Sequence, residues 1–309
     1  MSELFSIGQL GYYAGWFLKS KVGLKKPLVN TMVINFNCNL KCKHCAVSGN
    51  AELLPSIYQM DWDDALREMR DFYEKGARVL FFEGGEPSMW RSGDKALRDL
   101  VLAGRKIGYF VVGYTTNGTF DLVEESDVVS VSLDGPREVH DLIRGEGVYD
   151  QLMATLGKSK HPNIFANMTV MQQNKGQLRA TADIVKEHDR IRGMMINFIT
   201  PPPFEVALDL EEKRKVVEEA LQLKKAGYPL LNTARGLKEL LKEDYSGECP
   251  YWVSAFVLPD GSHAEGCPMQ NTEACRKCGF DAVREYRLIT KGNISAIREM
   301  SARFAYSKK

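Results

Sequence analysis

The stretch from Asn37 to Cys45 reads N-C-N-L-K-C-K-H-C and sets Cys38, Cys42 and Cys45 in a C-x3-C-x2-C spacing. Three thiolates so close in sequence suit a soft metal centre, either zinc or an iron–sulfur cluster. A four-iron cube held by three cysteines leaves one iron without a thiolate. A zinc site of three cysteines and one histidine needs a histidine with a spacing of its own, whereas His44 lies between two of the thiols. A second group follows late in the chain, Cys249, Cys267, Cys275 and Cys278, in the pattern C-x11-G-x5-C-x7-C-x2-C. On their own these four ligands fit zinc and a [4Fe–4S] cluster equally well.

The seven cysteines are too sparse for a disulfide framework and odd in number. Their grouping fits metal sites in a reducing, cytoplasmic setting. With 41 basic and 40 acidic side chains the net charge is +1, which argues against a nucleic-acid footprint or a disordered tail. The 309 residues, 44% of them hydrophobic, suffice for one large domain or one large and one small. No run reaches about 18 apolar residues, so no membrane-spanning helix is expected, and no signal peptide is read.

The cysteines must be positioned by what lies between them. Short apolar runs at 31–36, 77–82, 108–114, 128–133, 164–171 and 194–199 have strand length and β-branching. Helix-spaced segments at 61–75, 94–105, 149–158 and 178–188 separate several of them. This is the alternation of a parallel sheet with covered faces. Six strands are too few for a closed eight-stranded barrel. The motifs follow strand ends: the early cysteines, then Gly84-Gly85-Glu86-Pro87, then Asn117 in T-T-N-G, then Ser132 and Asp134 in S-L-D-G. Pro201-Pro202-Pro203 interrupts the rhythm. A charged helix at 210–226 and a shorter one at 233–241 follow. A hairpin through Leu258-Pro259-Asp260-Gly261 then brings Cys249 and Cys267 together. Before the first strand, aromatic residues including Tyr12, Tyr13, Trp16 and Phe17 alternate with Lys19, Lys21, Lys25 and Lys26. They read as an amphipathic helix packed across the domain, or resting on a lipid surface and lining the path of a greasy substrate.

Taken together, the cysteine triplet and G-G-E-P resemble the radical S-adenosylmethionine (radical SAM) superfamily. The resemblance implies a partial (β/α)6 TIM-like barrel over residues 30–203. It is preceded by an amphipathic segment at 1–29 and followed by a helical bridge at 204–248. A small twitch or SPASM-like domain at 249–309 completes the chain. It implies that Cys38, Cys42 and Cys45 carry a [4Fe–4S] cluster whose open iron chelates SAM. Glu86, with Gly84 and Gly85, would meet the SAM amino group, while Ser132 and Asp134 would reach its methionyl and ribose parts. His44 would stack on the adenine, and Arg144 would pair with the SAM carboxylate. Asn117 and Asn167 are further candidates at strand ends. Cys249, Cys267, Cys275 and Cys278 would ligate an auxiliary [4Fe–4S] cluster. An electron donor such as flavodoxin or ferredoxin is implied as a partner.

The layout of the N-terminal segment and S-V-S-L-D-G-P-R-E-V-H-D loosely resembles the hopanoid-modifying radical SAM enzymes. That likeness implies an apolar, isoprenoid-like small molecule as substrate and a peripheral membrane contact through the first helix. The late cysteines are closer to peptide maturases, which implies a peptide crosslinked through a thioether or carbon–carbon bond. The expected reaction is hydrogen abstraction by a 5'-deoxyadenosyl radical, with adenosyl addition to a polyprenoid alkene as the alternative. Residues lining the substrate site are expected to be apolar.

Overall fold

A computed structural model describes residues 6–45, 58–200, 204–264 and 266–303. The proline triplet Pro201-Pro202-Pro203 lies outside the described residues. Six parallel strands form the centre: β1 (Val29–Asn35), β2 (Val79–Gly84), β5 (Val111–Thr116), β6 (Val128–Ser132), β7 (Ile164–Val170) and β8 (Ile191–Phe198). A two-residue hairpin, β3 (Arg91–Ser92) and β4 (Lys95–Ala96), lies apart from them. It delays the next helix to Leu97–Ile107, later than the spacing predicts.

The sheet is open and runs β10-β9-β1-β2-β5-β6-β7-β8. Its first two strands come from the C-terminal segment. β9 (Ser254–Val257) pairs parallel with β1, and β10 (His263–Ala264) turns back antiparallel on β9. The late hairpin therefore continues the central sheet.

Successive side chains of a strand take opposite faces. On the outer face Met32, Leu80, Val112, Val131, Met168 and Ile196 are buried against the helices. The inner face holds a smaller apolar layer, Val111, Val128, Phe165 and Leu231, with Val79, Phe81 and Met195 against it. Toward the C-terminal strand ends the inner positions become polar: Thr115, Ser132, Asn167 and Asn197. An inner face that changes character along its strands marks one end for packing and the other for chemistry.

The helix Ile7–Lys21 closes the opposite end. Tyr12 donates to the carbonyl of Gly76, and Tyr12 and Tyr13 pack edge-on against Phe110. Arg78 stacks on Tyr12 and Tyr73 at 4.6 and 3.8 Å. These partners precede β2 and β5, so the aromatic side seals the N-terminal ends of the strands and does not line a path to the motif loops. Leu10, Leu18, Val22 and Leu24 stay exposed on its outer side. No helix among the described residues is long and apolar enough to cross a membrane.

The helix Asp281–Thr290 spans the gap between the sheet's two edges. At β8 the Asp281 N–H donates to Asn197 Oδ1 (2.8 Å), and the Tyr286 side chain hydrogen-bonds to Ser254 of β9. Glu285, 6% exposed, accepts from the N–H and hydroxyl of Thr233 at 2.7 and 2.9 Å. Burial raises the Glu285 carboxyl to about 7, against the Thr233 hydrogen bonds, and Asp281 is raised to about 7 by burial and the neighbouring Glu285. A carboxyl raised in the folded state stabilises it fully below its unfolded value, about 4.5, and loses that contribution as pH rises through about 7. The unfolding free energy of Glu285→Gln relative to wild type, from urea titrations, should therefore shift in the variant's favour across that window. A difference that stays flat with pH would show that Glu285 is ionised in the fold.

Candidate functional site

The cysteine loop leaves β1 without secondary structure of its own, and the strand-end loops beside it hold it. Gly85 donates to the Asn35 carbonyl (2.9 Å), Glu86 N–H donates to the Asn37 carbonyl (2.8 Å), and Asn35 Nδ2 donates to the Glu86 carbonyl (3.1 Å). The two backbones lie so close that a Cβ at Gly84 would meet the Asn35 oxygen at 2.2 Å, and one at Gly85 the Asn37 oxygen at 2.3 Å. The glycine pair is thus required by contact between the two motifs, before any ligand is considered.

Glu86 is fully buried. Its carboxylate accepts from Ser88 N–H (2.9 Å), Thr116 Oγ1 (2.9 Å) and Asn117 N–H (2.8 Å). The side chain expected to face an ammonium instead ties the loop after β2 to the loop after β5. Asn117 extends the tie, since its Nδ2 donates to Asn39 Oδ1 (2.9 Å) and approaches Cys38 Sγ at 3.8 Å.

Asp134, beyond β6, is the second buried carboxylate. Arg144 Nε donates to its Oδ2 at 2.7 Å and Thr169 N–H to its Oδ1 at 2.9 Å. Burial alone would raise this carboxyl, but Arg144, His44 and the Thr169 N–H outweigh it and hold Asp134 below the usual carboxylate range. Arg144 also directs Nη1 at Cys42 Sγ (3.9 Å), and Lys43 N–H donates to the Ile143 carbonyl (3.0 Å). Arg144 ends a helix, Arg137–Arg144, for which sequence reasoning supplied only a loop. The overlooked signal is Pro136 at the start, Glu138 in the first turn and Arg144 in the last, the charge order that a helix dipole favours.

His44 is neutral at pH 7, because burial lowers it to about 4 against the pull of Asp134. Its Nδ1 is buried, with no hydrogen-bond partner among the described residues. Ser132 is level with Asn167, whose Oδ1 accepts from Asn197 Nδ2 at 2.8 Å, forming a polar row across the ends of β6, β7 and β8. His263 bonds Glu68 Oε2 at 2.6 Å and packs on Phe72, within the outer helical layer.

The thiols also fall into two sets in space. Cys38 and Cys42 are pushed up by burial, Cys42 to about 11, and both sense the charge of Cys45. Leu40 N–H points at Cys38 Sγ (3.4 Å). In the second set, burial and the other three late thiols raise Cys249 to about 12. Met269 N–H and Arg284 Nη1 each lie 3.4 Å from a sulfur, that of Cys267 and that of Cys278. Buried thiols that share a site and face N–H donors are suited to a cationic centre that takes them as thiolates. Among the described residues no three such ligands close on one point as a single ion requires. The second set docks on the rim, where Phe198 N–H donates to the Gly279 carbonyl (3.0 Å) and Gly279 N–H to Thr200 Oγ1 (2.9 Å).

An open parallel sheet with covered outer face, and a triplet of thiols in the loop after its first strand, define an enzyme of the partial-barrel class. The chain belongs to the radical SAM superfamily, whose model matches residues 32–185. SAM and a [4Fe–4S] cluster are the cofactors of that family. Among curated relatives, Fe-coproporphyrin III synthase of Methanosarcina barkeri is 29% identical over 66% of this chain and 54% of its own length. Mycofactocin maturase MftC of Mycolicibacterium smegmatis is 32% identical over 50% and 41%. The chain thus spans about half the length of these relatives. SuiB of Streptococcus suis, solved with S-adenosylmethionine bound, superposes with a TM-score of 0.62 at 16% identity, covering 83% of this chain and 64% of SuiB. Its complex with the precursor peptide SuiA gives 0.62 at 14% identity, covering 89% and 67%. At such identities the likeness is one of fold.

Because Asp134 and Arg144 are 0% and 8% exposed, removing one strands the other. Arg144→Ala should cost about 3–5 kcal/mol in urea unfolding of the iron-free protein. Arg144→Lys should fall between, since a lysine cannot make both fork contacts. A loss under about 1 kcal/mol for the alanine variant would mean that the pair contributes nothing net.

Proposed function

We propose that this chain cleaves SAM reductively and uses the resulting radical to abstract hydrogen from a substrate held over the C-terminal rim of its open barrel. The carrying observation is that the first thiol set lies in the loop after β1, and that Cys278 of the second adjoins Gly279, which is bonded to the end of β8. Cys38, Cys42 and Cys45 hold the SAM-binding [4Fe–4S] cluster in this reading, and Cys249, Cys267, Cys275 and Cys278 an auxiliary one. Bound there, the first cluster and SAM supply the 5'-deoxyadenosyl radical.

The chain's own residues do the positioning. Glu86 and Asn117 fix the loop on one side, and Asp134 with Arg144 on the other. Arg144 keeps its remaining guanidinium N–H groups toward the thiols, where a SAM carboxylate would find them. Neutral His44 offers a flat ring beside them for the adenine. Glu86, whose three donors leave acceptor capacity on its carboxylate, would meet the SAM ammonium together with Gly84 and Gly85. Ser132 and Asn167 complete the polar row for the ribose. The auxiliary cluster gives a substrate electron a destination, which favours abstraction over adenosyl addition.

The inner wall near the rim is polar, with Thr115, Ser132, Asn167 and Asn197, and the apolar layer lies beneath it. That wall suits a substrate with hydrogen-bonding groups better than a polyprenoid alkene. A peptide is one such substrate, and the fold likeness to SuiB in its peptide complex lends that class support.

Anaerobically reconstituted protein should carry about eight irons and about eight sulfides per chain, from two four-iron cubes. Replacing Cys38, Cys42 and Cys45 together with alanine should leave about four of each and abolish formation of 5'-deoxyadenosine from SAM with dithionite. Retention of all the iron in the triple variant would overturn the assignment of these thiols.

A further inference from the structure

Glu83 is the penultimate residue of β2, immediately before the glycine pair and level with Val33 of β1. By strand alternation it shares the inner face with Val79 and Phe81, whereas Leu80 and Phe82 go to the helices. Other buried carboxyls nearby have partners: Glu86 its three donors, Asp134 Arg144, Glu68 His263, Glu285 Thr233, and Asp281 the Asn232 amide at 2.9 Å. Glu83 has none among the described residues. Burial is the sole cause acting on its carboxyl, which it pushes up to about 7. Part of its surface stays accessible, so it opens into the concavity of the sheet.

Tyr286 comes from the helix Asp281–Thr290, which bonds to β8 and β9. The phenol hydrogen-bonds to Ser254 and senses the charges of Asp281 and Glu83, and burial raises it to about 12. The wall is therefore acidic, with Glu83 and Asp281 near one phenol. A half-buried ionisable group on the inner face of the sheet, with no partner among the described residues, marks a place where a ligand completes the pairing.

We propose that Glu83 is a substrate anchor, whose carboxylate pairs with a protonated amine on the substrate while the Tyr286 phenol makes a second polar contact. This specificity for an amine rests on the radical SAM reading for its location, beside the cysteine loop. The same chemistry could be presented by a lysine side chain of a peptide or by a free amine.

The test uses the holoenzyme with both thiol sets reconstituted and SAM bound. Saturation-transfer NMR titrations would compare n-hexylamine, 1-hexanol, hexanoate and Nα-acetyl-lysine N-methylamide. An amine should bind about tenfold more tightly than the alcohol, the worth of one charge-assisted hydrogen bond. Glu83→Gln should remove that preference, and Glu83→Asp should restore part of it, at unchanged iron content and melting temperature. Tighter binding of the lysine derivative assigns the amine to a peptide, and tighter binding of hexylamine to a small molecule. Equal binding of amine and alcohol, or an amine preference surviving in Glu83→Gln, overturns the proposal. If Glu83→Gln loses iron, Tyr286→Phe replaces it, with an expected two- to fivefold weakening for the amine alone; no change in that variant rejects the site. Formation of 5'-deoxyadenosine in the same samples is measured separately. Amine selectivity without SAM cleavage rejects the radical reading and keeps the anchor, and cleavage without selectivity does the reverse.

Discussion

The ion pair between Asp134 and Arg144 is the contact on which the cysteine loop most depends. Both partners are inside the protein, so each is tolerable only because the other is there. Thr169 N–H and the Asn174 amide, which donates to the Asp134 carbonyl at 2.9 Å, complete the set. One end of this arrangement belongs to β6 and β7, the other to a short helix that holds Lys43 and reaches Cys42. Rigid strands thereby reach a segment that has no ladder hydrogen bonds of its own. Glu86 performs the same task from β2 and β5. A loop clamped on two sides by buried carboxylates can keep thiols in place without a hydrophobic core under them, since each carboxylate collects donors from several strands at once.

The division of labour between the two ends of the sheet follows from the same constraint. At the N-terminal ends, aromatic rings and one stacked arginine close the surface, and nothing there needs to admit a ligand. At the C-terminal ends the strands stop in polar residues and glycine-bearing turns. The opening between β8 and β9 is spanned by a helix whose anchor, Glu285, is held with its carboxyl raised. Such an anchor is cohesive while neutral and weaker when ionised. The join between β8 and β9 therefore weakens as pH rises through about 7.

Much of this was legible in the chain. Cysteine spacing and G-G-E-P are local patterns set by chemistry that tolerates few substitutes, and six apolar runs separated by helical ones admit few topologies. What escaped has a common cause, that partners distant in sequence decide it. Glu86 reads as a ligand group because nothing in the motif reveals Thr116 and the Asn117 N–H waiting for it. The helix Arg137–Arg144 reads as loop because its apolar face is short and its buried residues include His140 and Arg144. The late hairpin was visible as a hairpin, but its pairing to β1 rests on register across more than two hundred residues. The amphipathic first helix was correct as a helix, while its placement at the far end of the sheet depended on Phe110 and Arg78.

A primary carbon radical reacts with what it meets, so a site that generates one must be selective before the chemistry begins. An inner wall of asparagines, serine and threonine cannot grip an alkane by area, as a greasy channel would. In the proposed function such a wall would hold a substrate through directed polar contacts, which fix orientation more strictly than apolar burial does. The same wall shields little of its own C–H surface with bulky aliphatic groups, so orientation carries the burden of deciding which bond faces the radical. That is the physical reason for a charged or strongly hydrogen-bonding anchor close to the cysteine loop. An apolar layer at the base and the proposed Glu83 anchor near the rim are then two parts of one solution: the base stabilises the barrel, and the rim would choose the atom.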